Sequence, residues 1–380
     1  MSAAPSTLAG RLLSLDAYRG FIMLAMISGG LNTYTLAKDP DWSWLHNQLD
    51  HKKWEGCVFW DLIQPAFMMM VGVSMPFAFA KRQQEGQSWW RQFGHVLKRC
   101  GLLIAIGIVM DSFDNNIFYV QFIRVLQQIA IGYFVAFFVI HLRPGWQALA
   151  AFLLLAIHTA AYWYYGGSQA WAEAMKDDNV GRLIDRWMRA PFESIHDANI
   201  LPLSRGFYVT FNAVSSAATI IFGVLVGGLL RGSLLPNRKA LVLLIAGGAG
   251  ILLGWVLTQD IPLTGPLPMV KRIWTASFAI YAAGFTCLMM LFFYLVIDIL
   301  GYRSWSFPFV VVGVNSIFIY FASGVFKPMF TRLLSPFTFK QLEVTGPLGP
   351  WGPVVFASIM TFIYWLVCYA LYRQKIFFKV

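Results

Sequence analysis

Residues 51–65, HKKWEGCVFWDLIQP, lead into a segment that stays apolar to about residue 79. A polar mouth holding His51, Lys52, Lys53 and Trp54 gives way to roughly 20 apolar residues, the length that crosses the hydrocarbon core of a bilayer. Asp61 and Pro65 stand inside that segment. A carboxylate at membrane depth is costly unless it has a partner or lines a polar cavity. Pro65 has no N–H, so the backbone carbonyl of Asp61 loses its helical donor at the same level. With a helix beginning near Trp54, Asp61 lies about two turns in, on the order of 9 Å. Two compatible readings follow: an ion pair with an arginine such as Arg19 or Arg124 that locks two helices, or membership of a catalytic site.

The rest of the chain agrees with a membrane setting. Of 380 residues, 58% are hydrophobic and 12% charged, and the mean hydropathy is +0.60. A soluble domain carries about twice that share of charge. Apolar runs of spanning length fall at about 14–34, 57–79, 97–113, 121–141, 146–165, 208–230, 239–257, 273–299, 305–326 and 353–372. The expectation is an all-α, polytopic transmembrane bundle of about ten spans, forming a single membrane-embedded domain over 1–380. A polar loop at about 166–206 interrupts it, and WAEAMKDDNVGRLIDRWM in that loop has apolar positions at helical spacing, as an interfacial helix would.

Several function classes recede. Arg11, Asp16 and Arg19 at the start of the first run, and the lack of a small-residue cleavage site after a charge-free core, argue for a retained span over a signal peptide. Cys57, Cys100, Cys287 and Cys368 are scattered without CxxC spacing, which supports neither a disulfide framework nor a metal site. The net charge of +11 is distributed between spans, where orientation signals and anionic headgroups account for it, so no nucleic acid partner is expected. No internal repeat of the inverted-transporter kind is visible. Lys and Arg concentrate in alternate loops, at Arg11, Lys81 to Arg99, Arg143, Arg231 to Lys239, Arg303 and Arg373 to Lys379. That pattern predicts cytoplasmic termini and an extracytoplasmic His51 loop.

The motifs narrow the class. HxxWxGxxxxDxxxP is present as His51, Trp54, Gly56, Asp61 and Pro65, and SLDAYRG stands at 14–20. VLQQIAIGYF (125–134), KRIWTASF (271–278) and GVNSIFIYF (313–321) follow in order. Together they resemble the catalytic portion of the heparan-α-glucosaminide N-acetyltransferase family of multispanning acyltransferases and its bacterial relatives, with the membrane catalytic unit alone represented. Position 128 is Gln where the family more often has Arg, and Phe211 to Gly227 lacks the acidic-glycine lead-in expected there. Both departures bear on acceptor or donor recognition.

The resemblance implies acyl transfer from acetyl-CoA, as donor substrate and without a metal, to an amino-sugar or other carbohydrate acceptor at the extracytoplasmic face of an inner membrane. An attacking amine or hydroxyl must lose a proton, and a histidine with pKa near 7 removes it well. A lone loop histidine carries little weight; in this motif His51 becomes the candidate base or acetyl carrier, two roles the sequence does not separate. Asp61 would orient its imidazole. No phosphate-cradling glycine loop is present, so basic side chains at or within spans, Arg19, Arg99, Arg124, Lys271 and Arg272, are the candidates for the donor's phosphates. Each also has the plainer reading of pairing with Asp16, Asp61, Asp111 or Asp298, or of snorkelling to the surface. Asp16, Trp54, Gln127, Asn315 and Ser316 are the candidate substrate contacts, and Asn315 and Ser316 equally suit helix–helix bonding. His158 lacks a motif and reads as a bundle residue. The lipid bilayer and a homodimer complete the expected partners. The rival readings are a secondary transporter or exporter of a small polar or sugar-like solute, and an assembly partner without activity.

Overall fold

The structure is a computed structural model that describes residues 12–115, 118–190, 208–260, 266–342 and 346–378. Arg11, His196, Lys379 and the 191–206 part of the polar loop lie outside the described residues. Thirteen helices are described: α1 Leu13–Ser28, α2 Ser43–Leu49, α3 Phe59–Gln84, α4 Trp89–Asn115, α5 Val125–Val139, α6 Pro144–Gly166, α7 Val180–Arg189, α8 Asn212–Arg231, α9 Pro236–Val256, α10 Ala276–Phe293, α11 Phe307–Gly313, α12 Ser316–Leu342 and α13 Gly352–Arg373. Among the described residues the only β pairing is an isolated bridge between Glu55 and Val270. The chain is an all-α polytopic membrane protein.

Of the ten expected positions, eight have the length and apolarity of a span among the described residues: seven single helices, and α11 with α12, bent by 66° at a short break. The other two expected positions hold α1 and α5, of 16 and 15 residues, about 24 and 22 Å long against a hydrocarbon core of ~30 Å. Asp16 and Arg19 interrupt the apolar run of α1. Its helix stops at Gly29, whose φ of 59° closes a left-handed cap, and a tight 3₁₀ stretch, Gly29–Leu36, carries the chain onward.

Helices α3 and α8 are buried along most of their length and form the centre, whereas α4, α6, α9 and α13 turn most of their surface outward. Their crossing depends on small residues. A side chain on Gly72 would overlap the Ile220 carbonyl, and one on Gly223 would overlap that of Met69, so the two backbones touch. The glycines of the 247–250 run serve the same end: Gly247 and Gly250 pack on α10 at Leu288 and Gly284.

The bundle has two distinct ends. Ser14 at the start of α1 donates to Asp298 past the end of α10, and Phe307 at the start of α11 packs edge-on against Tyr369 and Tyr372 at the end of α13. Both ends of the described chain therefore share one end of the bundle. At the other, Gly30 lies against Leu49 and Trp60, the Thr35 hydroxyl donates to the Pro350 carbonyl at 2.7 Å, and Trp42 packs edge-on against Trp351. His51 and the start of α3 lie at this second end.

Candidate active site

Helix α3 begins at Phe59, later than the sequence suggested, because residues 51–58 are extended. Glu55 bridges to Val270 and the Gly56 amide donates to the Met269 carbonyl at 2.8 Å. Gly56 makes the turn at φ 108°, a conformation that resists any side chain. Asp61 is thus in the first turn of α3 and not two turns deep. Its position at the third residue of the helix explains why a carboxylate is tolerated there: it accepts from the Val58 amide at 3.3 Å and the Lys52 amide at 3.4 Å, donors left unpaired at a helix start.

Two side chains complete its surroundings. His51 Nδ1 is 2.8 Å from Asp61 Oδ1, and Lys271 Nζ is 3.4 Å from the same oxygen. The Asp61 and Lys271 side chains are 1% and 6% exposed, whereas His51 keeps 38% of its side chain open. Lys271 Nζ also comes within 3.1 Å of His51 Nδ1. An ammonium only donates, and Nδ1 cannot both donate to Asp61 and accept from Lys271. The consistent assignment has Nδ1–H donating to the carboxylate, Lys271 neutralising it, and Nε2 left as the proton acceptor. Burial holds the His51 pKa below its ordinary value, Asp61 opposes that through its hydrogen bond, and Lys271 adds to the lowering. The imidazole is neutral at neutral pH, the state a base requires.

Lys271 reaches this place through a strained turn. Residues 268–275 fold back on themselves, with Thr275 N–H donating to Val270 and Trp274 N–H to Lys271. Trp274 takes φ 51°, unfavourable for a bulky residue, and is held there by burial and by α8. Ser215 Oγ donates to the Trp274 carbonyl at 2.6 Å and Asn212 Nδ2 to the Arg272 carbonyl at 2.8 Å. Arg272 Nε donates to the Lys53 carbonyl at 2.6 Å, tying this turn to the His51 loop, and its guanidinium faces the Tyr208 ring. Sequence reasoning passed over Asn212 and Ser215. Their signal lies in a cluster of polar residues, Asn212, Ser215, Ser216 and Thr219, in the first two turns of an apolar span.

The remaining candidates separate. Asp61 is paired with Lys271 and not with Arg19 or Arg124. Arg19, midway along α1, bonds Asp16 at 3.2 Å and Ser74 at 2.5 Å. Arg124 pairs with Asp111 and Asp114 at the end of α4. Arg99 lies ten residues into α4, which starts at Trp89 and not near 97, and its guanidinium covers the Tyr133 ring at 4.5 Å. The five cations thus have separate partners and do not converge on one phosphate cluster. Trp54 is buried, donating its indole N–H to the Trp171 carbonyl at 2.8 Å, an anchor for the His51 loop. Gln127 is fully buried and accepts from the Arg124 amide at 2.9 Å, closing the start of α5. Asn315 Nδ2 donates to the Ile376 carbonyl at 3.0 Å and its Oδ1 accepts from the Phe378 amide at 2.9 Å. These bonds place Asn315, with Ser316 beside it, toward the terminal end and away from His51. Gln128, the departure from the family pattern, accepts from Gln64 at 3.1 Å, one turn below Asp61.

Fold and site together define a polytopic helical membrane protein with a His–Asp–Lys centre at one end of its bundle. Residues 11–177 match a family model described as heparan-alpha-glucosaminide N-acetyltransferase, catalytic, and the similarity to this family suggested by the motifs is borne out. Over 432 residues the chain is 23% identical to the heparan-alpha-glucosaminide N-acetyltransferase of Homo sapiens, with 99% of this chain and 61% of the human protein covered. The Mus musculus protein of the same name is also 23% identical, over 98% of this chain and 61% of its own length. The chain therefore spans about three-fifths of the length of these relatives.

Proposed function

We propose that this protein transfers an acyl group, acetyl in the first instance, from acyl-CoA to an amino-sugar or other carbohydrate acceptor at the His51 end of the bundle. The observation that carries the reading is the 2.8 Å contact of His51 Nδ1 with a buried Asp61 that is itself neutralised by Lys271. In direct transfer the acceptor nitrogen or oxygen attacks the thioester carbonyl carbon as His51 Nε2 removes its proton. The new C–N or C–O bond forms, the C–S bond breaks, and the thiolate of CoA leaves and takes the proton back from the imidazolium. In the two-step route Nε2 attacks first and CoA thiolate leaves; the acceptor then displaces imidazole from the acetyl group, and its proton passes to the freed Nε2 and on to the thiolate or water. Asp61 serves both by fixing the tautomer and by stabilising the imidazolium or acyl-imidazolium charge.

The orientation predicted from the basic loops puts this end outside and the termini in the cytoplasm of an inner membrane. Acyl-CoA arrives from the cytoplasm, so donor and acceptor meet through the bundle. Purified protein incubated with acetyl-CoA and amino-sugar fragments should yield acetylated sugar by mass spectrometry, and the His51→Ala variant should not. Exchange of intact solute with no dependence on CoA would instead support a transporter.

A further inference from the structure

A cavity lies at the His51 end of the bundle, between the end of α4 and the middle of α12. Its volume is about 680 Å³ and it is lined by Asp114, Ser323, Gly324, Lys327, Thr331 and Arg332, with Pro328 at its wall. Ser323, Lys327 and Thr331 fall at i, i+4 and i+8, and Gly324, Pro328 and Arg332 form the adjacent row, so the polar residues make one stripe along α12. Met110 of α4 closes over Gly324. The adjoining surface is apolar: Phe326, Met329 and Leu333 of α12 and Val109 and Phe113 of α4 are exposed.

Charge and depth define the ligand. Lys327 stands six residues before Leu333, where the apolar stretch of the bent span ends, about 9 Å along the helix. A lysine there is costly without an anion or a route to water. Among the described residues Lys327 makes no ion pair. The cavity's carboxylate, Asp114, is already engaged by Arg124. Two cations and the Thr331 hydroxyl above an outward-facing apolar surface match a ligand with an anionic head and an apolar tail.

We propose that the α4–α12 cavity binds a phosphate-headed lipid, with the phosphate on Lys327 and Arg332, a hydrogen bond from Thr331, and the acyl chains along Phe326, Met329 and Leu333. The proposal depends on the membrane setting and not on acyl transfer. The test is native mass spectrometry of the full chain in neutral detergent, titrated with phosphatidylglycerol or phosphatidylcholine. Phosphatidylglycerol is retained in excess, and Lys327→Gln lowers its retention about fivefold, with a further loss in Lys327→Gln/Arg332→Gln. Arg238→Gln, at the opposite end of the bundle, leaves retention unchanged. A photoactivatable phosphatidylglycerol bound to the wild-type protein attaches within 323–333, a readout that stands even if a variant does not fold. Equal loss in Arg238→Gln, unchanged retention in the double variant, or attachment elsewhere overturns the proposal. Displacement of the lipid by an equal concentration of inorganic phosphate also overturns it, assigning the cavity to a soluble phosphate.

Discussion

At the residue scale three side chains, His51, Asp61 and Lys271, have different tasks. His51→Ala removes the group that accepts the proton or carries the acetyl, and its open side chain contributes little to packing, so turnover should fall by about 100-fold or more with an unchanged thermal melt. Near-normal turnover would remove His51 from the mechanism. Asp61 and Lys271 are coupled. Asp61→Asn leaves a buried ammonium without its counter-charge, a loss of about 3–5 kcal/mol by thermal or denaturant unfolding. Asp61→Asn/Lys271→Met should recover most of that stability and none of the activity. If it recovers both, the pair is a structural lock alone. The pH dependence carries a sign that can be checked. Turnover requires neutral His51 and declines as pH falls through its pKa, which burial and Lys271 hold below the ordinary histidine value. Lys271→Met removes one of these lowering influences, so the acid limb of its rate profile should move to higher pH. A shift to lower pH would contradict the assignment of the ammonium beside the ring.

At the element scale the centre is assembled from an extended stretch, a helix start and a strained turn, with α8 as the brace. Ser215→Ala deletes the bond to the Trp274 carbonyl and should cost only ~1 kcal/mol of stability. Its larger effect should be on turnover, because Lys271 is carried by the turn that this bond holds. Equal turnover in Ser215→Ala and wild type would show that the turn keeps its shape without α8. This scale also separates what the sequence disclosed from what it did not. The motif spacing brought out His51 and Asp61 because each is chemically conspicuous in an apolar chain. The late start of α3 was hidden, since the cause is a backbone bond between Gly56 and Met269, over two hundred residues apart, and no local pattern records it. Trp54 and Gln127 stand out as motif residues, but the bonds each makes within the fold, to Trp171 and to the Arg124 amide, could not be read from the motif. Lys271 was visible as a membrane-level cation, but its partner was not, because a buried cation selects among several distant carboxylates only when the helices have packed.

At the scale of the whole molecule, hydropathy marked the positions of the long helices, because apolarity is a property of contiguous sequence, whereas the short α2 left no such mark. Ten full spans stay an expectation: α1 and α5 are each shorter than the hydrocarbon core, although α1 runs from the Asp298 end of the bundle to the Trp60 end. The arrangement of the ends, with both ends of the described chain opposite His51, emerges from contacts between remote helices. With the orientation proposed from the basic loops, a cysteine placed at Lys52 should be labelled by a membrane-impermeant thiol reagent from the outer face, and one placed near Arg303 only after permeabilisation. The most direct test of the account is acyl transfer in sealed proteoliposomes of uniform orientation, with acetyl-CoA confined to the face of the termini and an amino-sugar acceptor confined to the face of His51. The account predicts acetylated acceptor on the His51 face in the wild type and none in His51→Ala. Product only when both substrates share one face, or equal product in the His51→Ala variant, would contradict it.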